Sequence, residues 1–259
     1  MSRVAVVTGA SRGLGLAISK QFLHQGVTVI GVARSAERLS ELAQALSQPN
    51  AKFIACVADI TSPSEVQKVR ACVEEQKSST LCALINNAGT IDPIAKLSDI
   101  DIAAWQRVLD VNITPVVSLT QQLLPYLRHS RATVVNVSSG AALRAYHGWA
   151  AYCASKAAVN MLTQSFATEE PHVVFVAIMP GVVDTDMQST IRKAQHAMKP
   201  EEFDKFSRLH SEGKLLSPEV PAATIVRVAL CATNDVSGQL FSFDSPELEK
   251  YHLAGSQNS

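Results

Sequence analysis

Seven short apolar runs punctuate the chain: Val4–Val7, Val27–Val32, Phe53–Val57, Leu81–Ile85, Thr133–Val137, Val173–Ile178 and Gln239–Phe243. Most are continuously apolar instead of alternating, the pattern of parallel strands covered on both faces. Longer helix-like segments separate them, at about 14–25, 36–47, 63–77, 101–129, 150–169 and 218–232. Strand–helix alternation predicts an α/β fold, a doubly wound parallel sheet of about seven strands with right-handed crossovers and helices on both faces. No linker, repeat or low-complexity segment breaks the rhythm, so residues 1–259 read as one domain. The polar segment 186–217, between the sixth strand and the last helix, is the exception. It is expected to hold one or two helices and a substrate loop or lid at the carboxyl end of the sheet.

Charge narrows the function. Lys+Arg and Asp+Glu both number 23, so there is no basic field for nucleic acid or an anionic membrane. Low net charge leaves little repulsion between copies, and self-association is expected. The apolar runs fall well short of the ~18 residues of a spanning helix, and with the first strand reached by Val4 no leader is expected. Five scattered cysteines form no CxxC pair and no Cys/His cluster. They read as reduced thiols with no metal site, and a cytoplasmic location is expected.

The densest chemical signal is "VVTGASRGLG", Val6–Gly15, where Gly9, Gly13 and Gly15 follow the first strand and open a helix. It departs from G-x-G-x-x-G, since Ile18 stands at the third position counted from Gly13. The physics is the same: absent Cβ atoms let the backbone approach a pyrophosphate, and helix N–H groups attract it. Alone, the cluster also fits an ordinary tight turn. Four further clusters accompany it: Asn86-Asn87-Ala88-Gly89, Ser138-Ser139, Tyr152-x-x-x-Lys156 and Pro180-Gly181. Each lies at the carboxyl end of a predicted strand or just beyond, the edge where open α/β sheets bind ligands.

In this order, and over essentially the full length, the chain resembles the short-chain dehydrogenase/reductase family, which implies a Rossmann-type fold. The resemblance implies that Thr8, Gly9, Ser11, Gly13, Leu14 and Gly15 hold a cofactor pyrophosphate and that Asp59 contacts adenine. Asn86, Ala88 and Gly89 would line the adenosine ribose and steady the central sheet. The stretch Pro180-Gly181-Val182-Val183-Asp184-Thr185 matches the family's P-G-x-[VI]-x-T, with Val183 and Thr185 on the nicotinamide carboxamide. The family's serine precedes its tyrosine by thirteen residues, which selects Ser139 over Ser138. With Asn112, in "LDVNIT", the implied catalytic set is Asn112, Ser139, Tyr152 and Lys156.

The chemistry explains the residue types. Carbonyl reduction needs hydride at carbon and a proton at oxygen, and Tyr152 can donate that proton. Lys156, at i,i+4, shares its helix face; a nearby ammonium is expected to lower the phenol pKa, and the lysine would also anchor the cofactor ribose. Ser139 would hold the substrate oxygen, and the resemblance gives Asn112 a relay water. About 20 residues beyond the glycine loop, where an NAD enzyme carries a carboxylate, stand Arg34 and Ser35. With Arg12 they suit a 2′-phosphate, so the expected cofactor is NADPH/NADP+.

Ala141, Leu143, Trp149, Met187 and the 186–217 segment are the expected substrate lining. His147 reads as a surface or core residue, and Cys153 as packing. An apolar lining fits a small hydrophobic ketone or diketone. The stretches "GVARS", "PGVVDTDMQ" and "LLSPEVPA" are similar to the sepiapterin reductase-like branch, and among it to benzil reductases that form (S)-benzoin. Sepiapterin-type reduction is the alternative, though Ser242 stands where that branch has its pterin-anchoring acid, with Asp244 two residues on. A non-catalytic NADPH-binding redox sensor is a distant alternative. The resemblance also implies a homodimer or homotetramer, built on helices 101–129 and 150–169. Their stripes (Leu119, Leu123, Leu127; Ala158, Leu162, Phe166) could equally face the sheet.

Overall fold

In the computed structural model, which describes residues 2–251, seven parallel strands form one sheet in the order β3-β2-β1-β4-β5-β6-β7. They are β1 (Ser2–Thr8), β2 (Thr28–Ala33), β3 (Phe53–Val57), β4 (Ser79–Asn86), β5 (Thr133–Val137), β6 (Val174–Met179) and β7 (Gln239–Ser242). The helices are α1 (Gly13–His24), α2 (Ala36–Leu46), α3 (Pro63–Glu74), α4 (Ile102–Asn112), α5 (Thr114–Ser130), α6 (Ala150–Glu169), α7 (Asp186–Arg192), α8 (Pro200–Ser211) and α9 (Glu219–Cys231). Strand order reverses beside β1, where β2 and β4 flank it on either side. That reversal opens the crevice in which such sheets take ligands.

The continuous apolar strands feed two cores at once. Ala5 and Val7 of β1 pack with Ile18 and Phe22 of α1 and Ile225 and Val226 of α9 on one face. Val4 and Val6 pack with Val66 and Val69 of α3 and with Leu119, Leu123 and Leu127 of α5 on the other. Side chains alternate across a strand, so a sheet covered on both sides needs both sets apolar.

Segment 101–129, expected as one helix, is two. Pro115 has no N–H for the carbonyl of Val111, and the Val116 N–H turns to Ile113. The ladder is therefore interrupted just after Asn112. The leucine stripe of α5 is fully buried against the sheet, and Phe166 of α6 meets Phe175 edge-on at 5.8 Å between ring centres. The α5 stripe is core, while Ala158, Leu162 and Phe166 of α6 are half-buried. Segment 186–217 holds α7, a 3-10 turn at Gln195–Ala197 and α8. They cover a third cluster, Ile91, Ile94, Ala141, Trp149, Tyr152, Ile191 and Phe206 among it, beyond the sheet edge.

Candidate active site

A cleft of about 1540 Å³ runs along the carboxyl edge of the sheet, from the end of β2 to α7 and α8. Gly9, Ser11, Arg12, Gly13, Leu14, Gly15, Arg34, Ser35, Asp59, Ala88, Gly89, Pro180, Gly181, Val183 and Thr185 line it, as do Ser139, Tyr152 and Lys156. Thr8, Asn86 and Asn112 do not; they lie behind its wall.

The glycine loop is shaped by close approaches. Gly9 and Gly13 adopt φ of +67° and +52°, a region costly to residues with a Cβ. A Cβ on Gly15 would stand 2.2 Å from the Gly9 carbonyl oxygen and 2.6 Å from Asn87 Nδ2. The N-cap of α1 is Arg12, whose side chain offers no capping oxygen, and the first turn carries no acid. Its leading N–H groups face the cleft without a side-chain acceptor, the condition under which a helix start receives an anion. The residues present therefore fit a dinucleotide pyrophosphate.

The three residues behind the wall hold its parts together. Thr8 Oγ1 accepts from the N–H groups of Asn87 and Ala88, both at 3.0 Å, and donates to the Ile85 carbonyl. It ties the glycine loop to the end of β4 and has no exposed atom to offer a ligand, because it is buried. Asn86 donates to Asn136 Oδ1 at 2.8 Å between β4 and β5. Asn112 accepts from the Thr90 N–H and donates to the Thr90 carbonyl and to Ser155 Oγ. Each of these contacts joins one segment of the wall to another. Asn87, one residue on, lines the cleft instead.

At the β2 end stand three guanidiniums, those of Arg12, Arg34 and Arg38. Ser35 caps α2 by accepting from the Arg38 N–H at 3.4 Å. Asp59 accepts from the Thr61 N–H and hydroxyl; these bonds, and more weakly the charge of Arg34, hold its carboxyl below its usual range. Arg12 Nη1 reaches across the mouth to Asp186 at 2.6 Å. Both partners are largely exposed, and such a pair stabilises by only about 0–1 kcal/mol, so a phosphate can displace the carboxylate.

At the other end, Tyr152 and Lys156 project from α6 and are buried. Burial pushes the Tyr152 phenol up to about 12, against a smaller opposing pull from a Ser139 hydrogen bond. The expected lowering by Lys156 is absent. Its Nζ lies 5.8 Å from the phenol ring centre and donates to the Val137 carbonyl at 2.7 Å. Loss of hydration sets the phenol's shift, and burial likewise lowers the lysine itself to about 8. Tyr152 is thus a firmly protonated donor, the form a carbonyl oxygen requires. Ser139 Oγ accepts from the Ala141 N–H at 3.1 Å, which fixes the serine beside the tyrosine's helix.

Beyond Tyr152 the wall is aromatic. Tyr146 and Trp149 stack at 4.6 Å, Trp149 and Phe206 at 5.3 Å, and the Trp149 ring meets Tyr152 edge-on at 6.0 Å. Ala141, Trp149 and Met187 line the cleft as expected from sequence, whereas Leu143 is 69% exposed and stands outside it. His147 is exposed, and Cys153 packs against the aromatic cluster. Gln188 and Phe206, within the expected 186–217 lining, line the cleft, and so do Tyr146 and Arg38, which no sequence motif marked. Ser242 lines the cleft, and its hydroxyl donates to Asp244, which does not. Among the described residues no His/Cys/Asp/Glu group could hold a metal, and no helix is long and apolar enough to cross a membrane.

Comparison with known proteins agrees with this geometry. Residues 3–196 match the short chain dehydrogenase family. A benzil reductase ((S)-benzoin forming) of Saccharomyces cerevisiae is 38% identical, over 96% of this chain and 98% of its own. Sepiapterin reductase of Rattus norvegicus is 37% identical, over 82% of this chain and 86% of its own. A crystal structure of a short chain dehydrogenase/reductase from Saccharomyces cerevisiae superposes with a TM-score of 0.90 at 36% identity, covering 96% of this chain and 99% of that one.

Proposed function

The chain belongs to the short chain dehydrogenase family, and from that premise we propose that it is an NADPH-dependent carbonyl reductase of hydrophobic, benzil-like ketones and diketones. Family membership makes it an oxidoreductase acting between CH–OH and C=O with a nicotinamide cofactor. The observation that carries the finer reading is the buried Tyr152, protonated and set edge-on to the Tyr146–Trp149–Phe206 stack. A flat apolar substrate lies along those rings with its carbonyl oxygen toward Tyr152 and Ser139. Tyr152 gives that oxygen its proton, and Ser139 holds it in place. Lys156, charged below about pH 8, stabilises the phenolate left behind. A bound nicotinamide supplies the hydride.

Arg12, Arg34 and Arg38 around one end of the cleft support NADPH over NADH, because a 2′-phosphate gains charge-assisted bonds there. Ser242 at the cleft wall gives a protonated pterin no carboxylate, which favours the diketone over sepiapterin. The test is cofactor consumption across benzil, quinones, aromatic ketones and sepiapterin. NADPH should exceed NADH in kcat/KM by at least about tenfold with benzil, the equivalent of one ~1.4 kcal/mol contact. Equal efficiency with both cofactors refutes the cofactor assignment. Binding of NADPH with no turnover on the whole panel would instead identify a sensor.

A further inference from the structure

The chamber facing Tyr152 is walled by Ile91, Ala141, Trp149, Ile191 and Phe206, and polar side chains are scarce in it. We infer that Gln188 determines specificity for 1,2-dicarbonyl substrates by donating a hydrogen bond to the second oxygen, an inference that rests on carbonyl reduction at Tyr152. Gln188 stands in the first turn of α7 and shares a face with Ile191, three residues on. Ile191 packs in the same cluster as Tyr152 and Trp149. Gln188 is only 6% exposed, yet it lines the cleft.

Its hydrogen bonding is incomplete. Among the described residues Oε1 is fully enclosed and meets no donor. Nε2 makes no side-chain bond either, but it is not among the enclosed atoms, and the residue that carries it lines the cleft. The Trp149 indole N–H, in the same wall, is also enclosed and unpaired. The free Nε2 donor is the atom a substrate oxygen can complete, since buried polar groups are normally hydrogen-bonded. A ketone with one oxygen uses only Tyr152 and Ser139 and leaves Gln188 unmet. A 1,2-diketone has a second oxygen two bonds from the first oxygen's carbon, and that oxygen needs a donor. The aromatic rings take the apolar flanks, and the α-hydroxy ketone formed keeps its remaining carbonyl on Gln188.

Benzil and deoxybenzoin test this directly, since both carry two phenyl rings and differ in the second carbonyl. Gln188→Met preserves length and removes the donor; Gln188→Glu keeps the shape and cannot donate when ionised. Both variants should narrow the benzil-over-deoxybenzoin ratio of kcat/KM by about tenfold to a hundredfold, the range for one buried hydrogen bond. Equal losses on the two ketones, or an unaltered ratio, overturn the inference. Binding supplies a readout independent of turnover. Trp105 and Trp149 are the chain's two tryptophans, so quenching of Trp149 in a Trp105→Phe background, with NADP+ present, reports each ketone's Kd. A Kd ratio that narrows in Gln188→Met while the parent reduces neither ketone removes the reductase reading and retains Gln188. An unaltered Kd ratio, or no binding of either ketone, overturns the inference.

Discussion

The two ends of the cleft are walled by different materials. At the glycine loop the wall is main chain, held by positive φ at Gly9 and Gly13 and by the Thr8 hydroxyl between strands. At the far end it is side chain: Tyr146 and Trp149 before α6, Met187 and Gln188 on α7, and Phe206 on α8. A main-chain wall fits the pyrophosphate common to every nicotinamide dinucleotide, and it fails as a unit when any Cβ intrudes. A side-chain wall is assembled from separate segments, so a single change there reshapes preference without dismantling the site. Tyr152 and Lys156 stand between the two and face both.

Substitution at that junction should have the largest effect. Tyr152→Phe removes the proton donor and leaves the ring contact with Trp149, so kcat should fall by about 10²–10⁴-fold. NADPH affinity, measured by its fluorescence on binding, should stay within about threefold. Substantial remaining turnover would show that the proton comes from elsewhere. Gly15→Ala ranks next and separates the two walls. Its Cβ would meet the Gly9 carbonyl oxygen at 2.2 Å, and a main-chain atom cannot step aside as a flexible side chain would. The KM for NADPH should rise by more than about tenfold, with the KM for ketone nearly constant at saturating cofactor. A parallel rise in both would mean that the ends are not independent.

The same division decided what the sequence revealed. The strands were readable because two-sided burial demands unbroken apolar runs, and the glycine loop because its backbone conformation demands particular residues at fixed spacing. Both constraints are local. Thr8, Asn86 and Asn112 belong to the same motifs, yet their side chains bond to Asn87, Asn136, Thr90 and Ser155 behind the cleft wall. A motif marks that a residue matters to a site without saying which side of the wall it serves. The ring stack had no local signature, because Tyr146 and Phe206 lie 60 positions apart in the chain and meet only once α8 folds over the sheet edge. The sign of the Tyr152 shift was equally out of reach. Spacing brings Lys156 to the same helix face, but the shift is set by burial, a property of the whole fold, against the Ser139 hydrogen bond.

The smallest effect sharpens the comparison furthest, because activity and stability should move in opposite directions. Burial lowers Lys156 from its ordinary value near 10.5 to about 8. Below pH 8 the lysine is charged in folded and unfolded chains alike, and the folded protein bears the full cost of burying the ammonium. Between about 8 and 10.5 the unfolded chain binds the extra proton, so this group's contribution to stability rises with pH. Its contribution to catalysis falls over the same window, since an uncharged amine no longer stabilises the Tyr152 phenolate. Tyr152, at about 12, stays protonated throughout and does not mask the change. The kcat/KM for ketone should therefore decline above about pH 8, several-fold by pH 9, while the urea midpoint, corrected with a Lys156→Met variant as reference, shifts upward. A decline in both quantities together would mean that the ammonium is held by attraction within the fold. Lys156 would then belong to the preorganised glycine end of the cleft, and not to the strained junction between its walls.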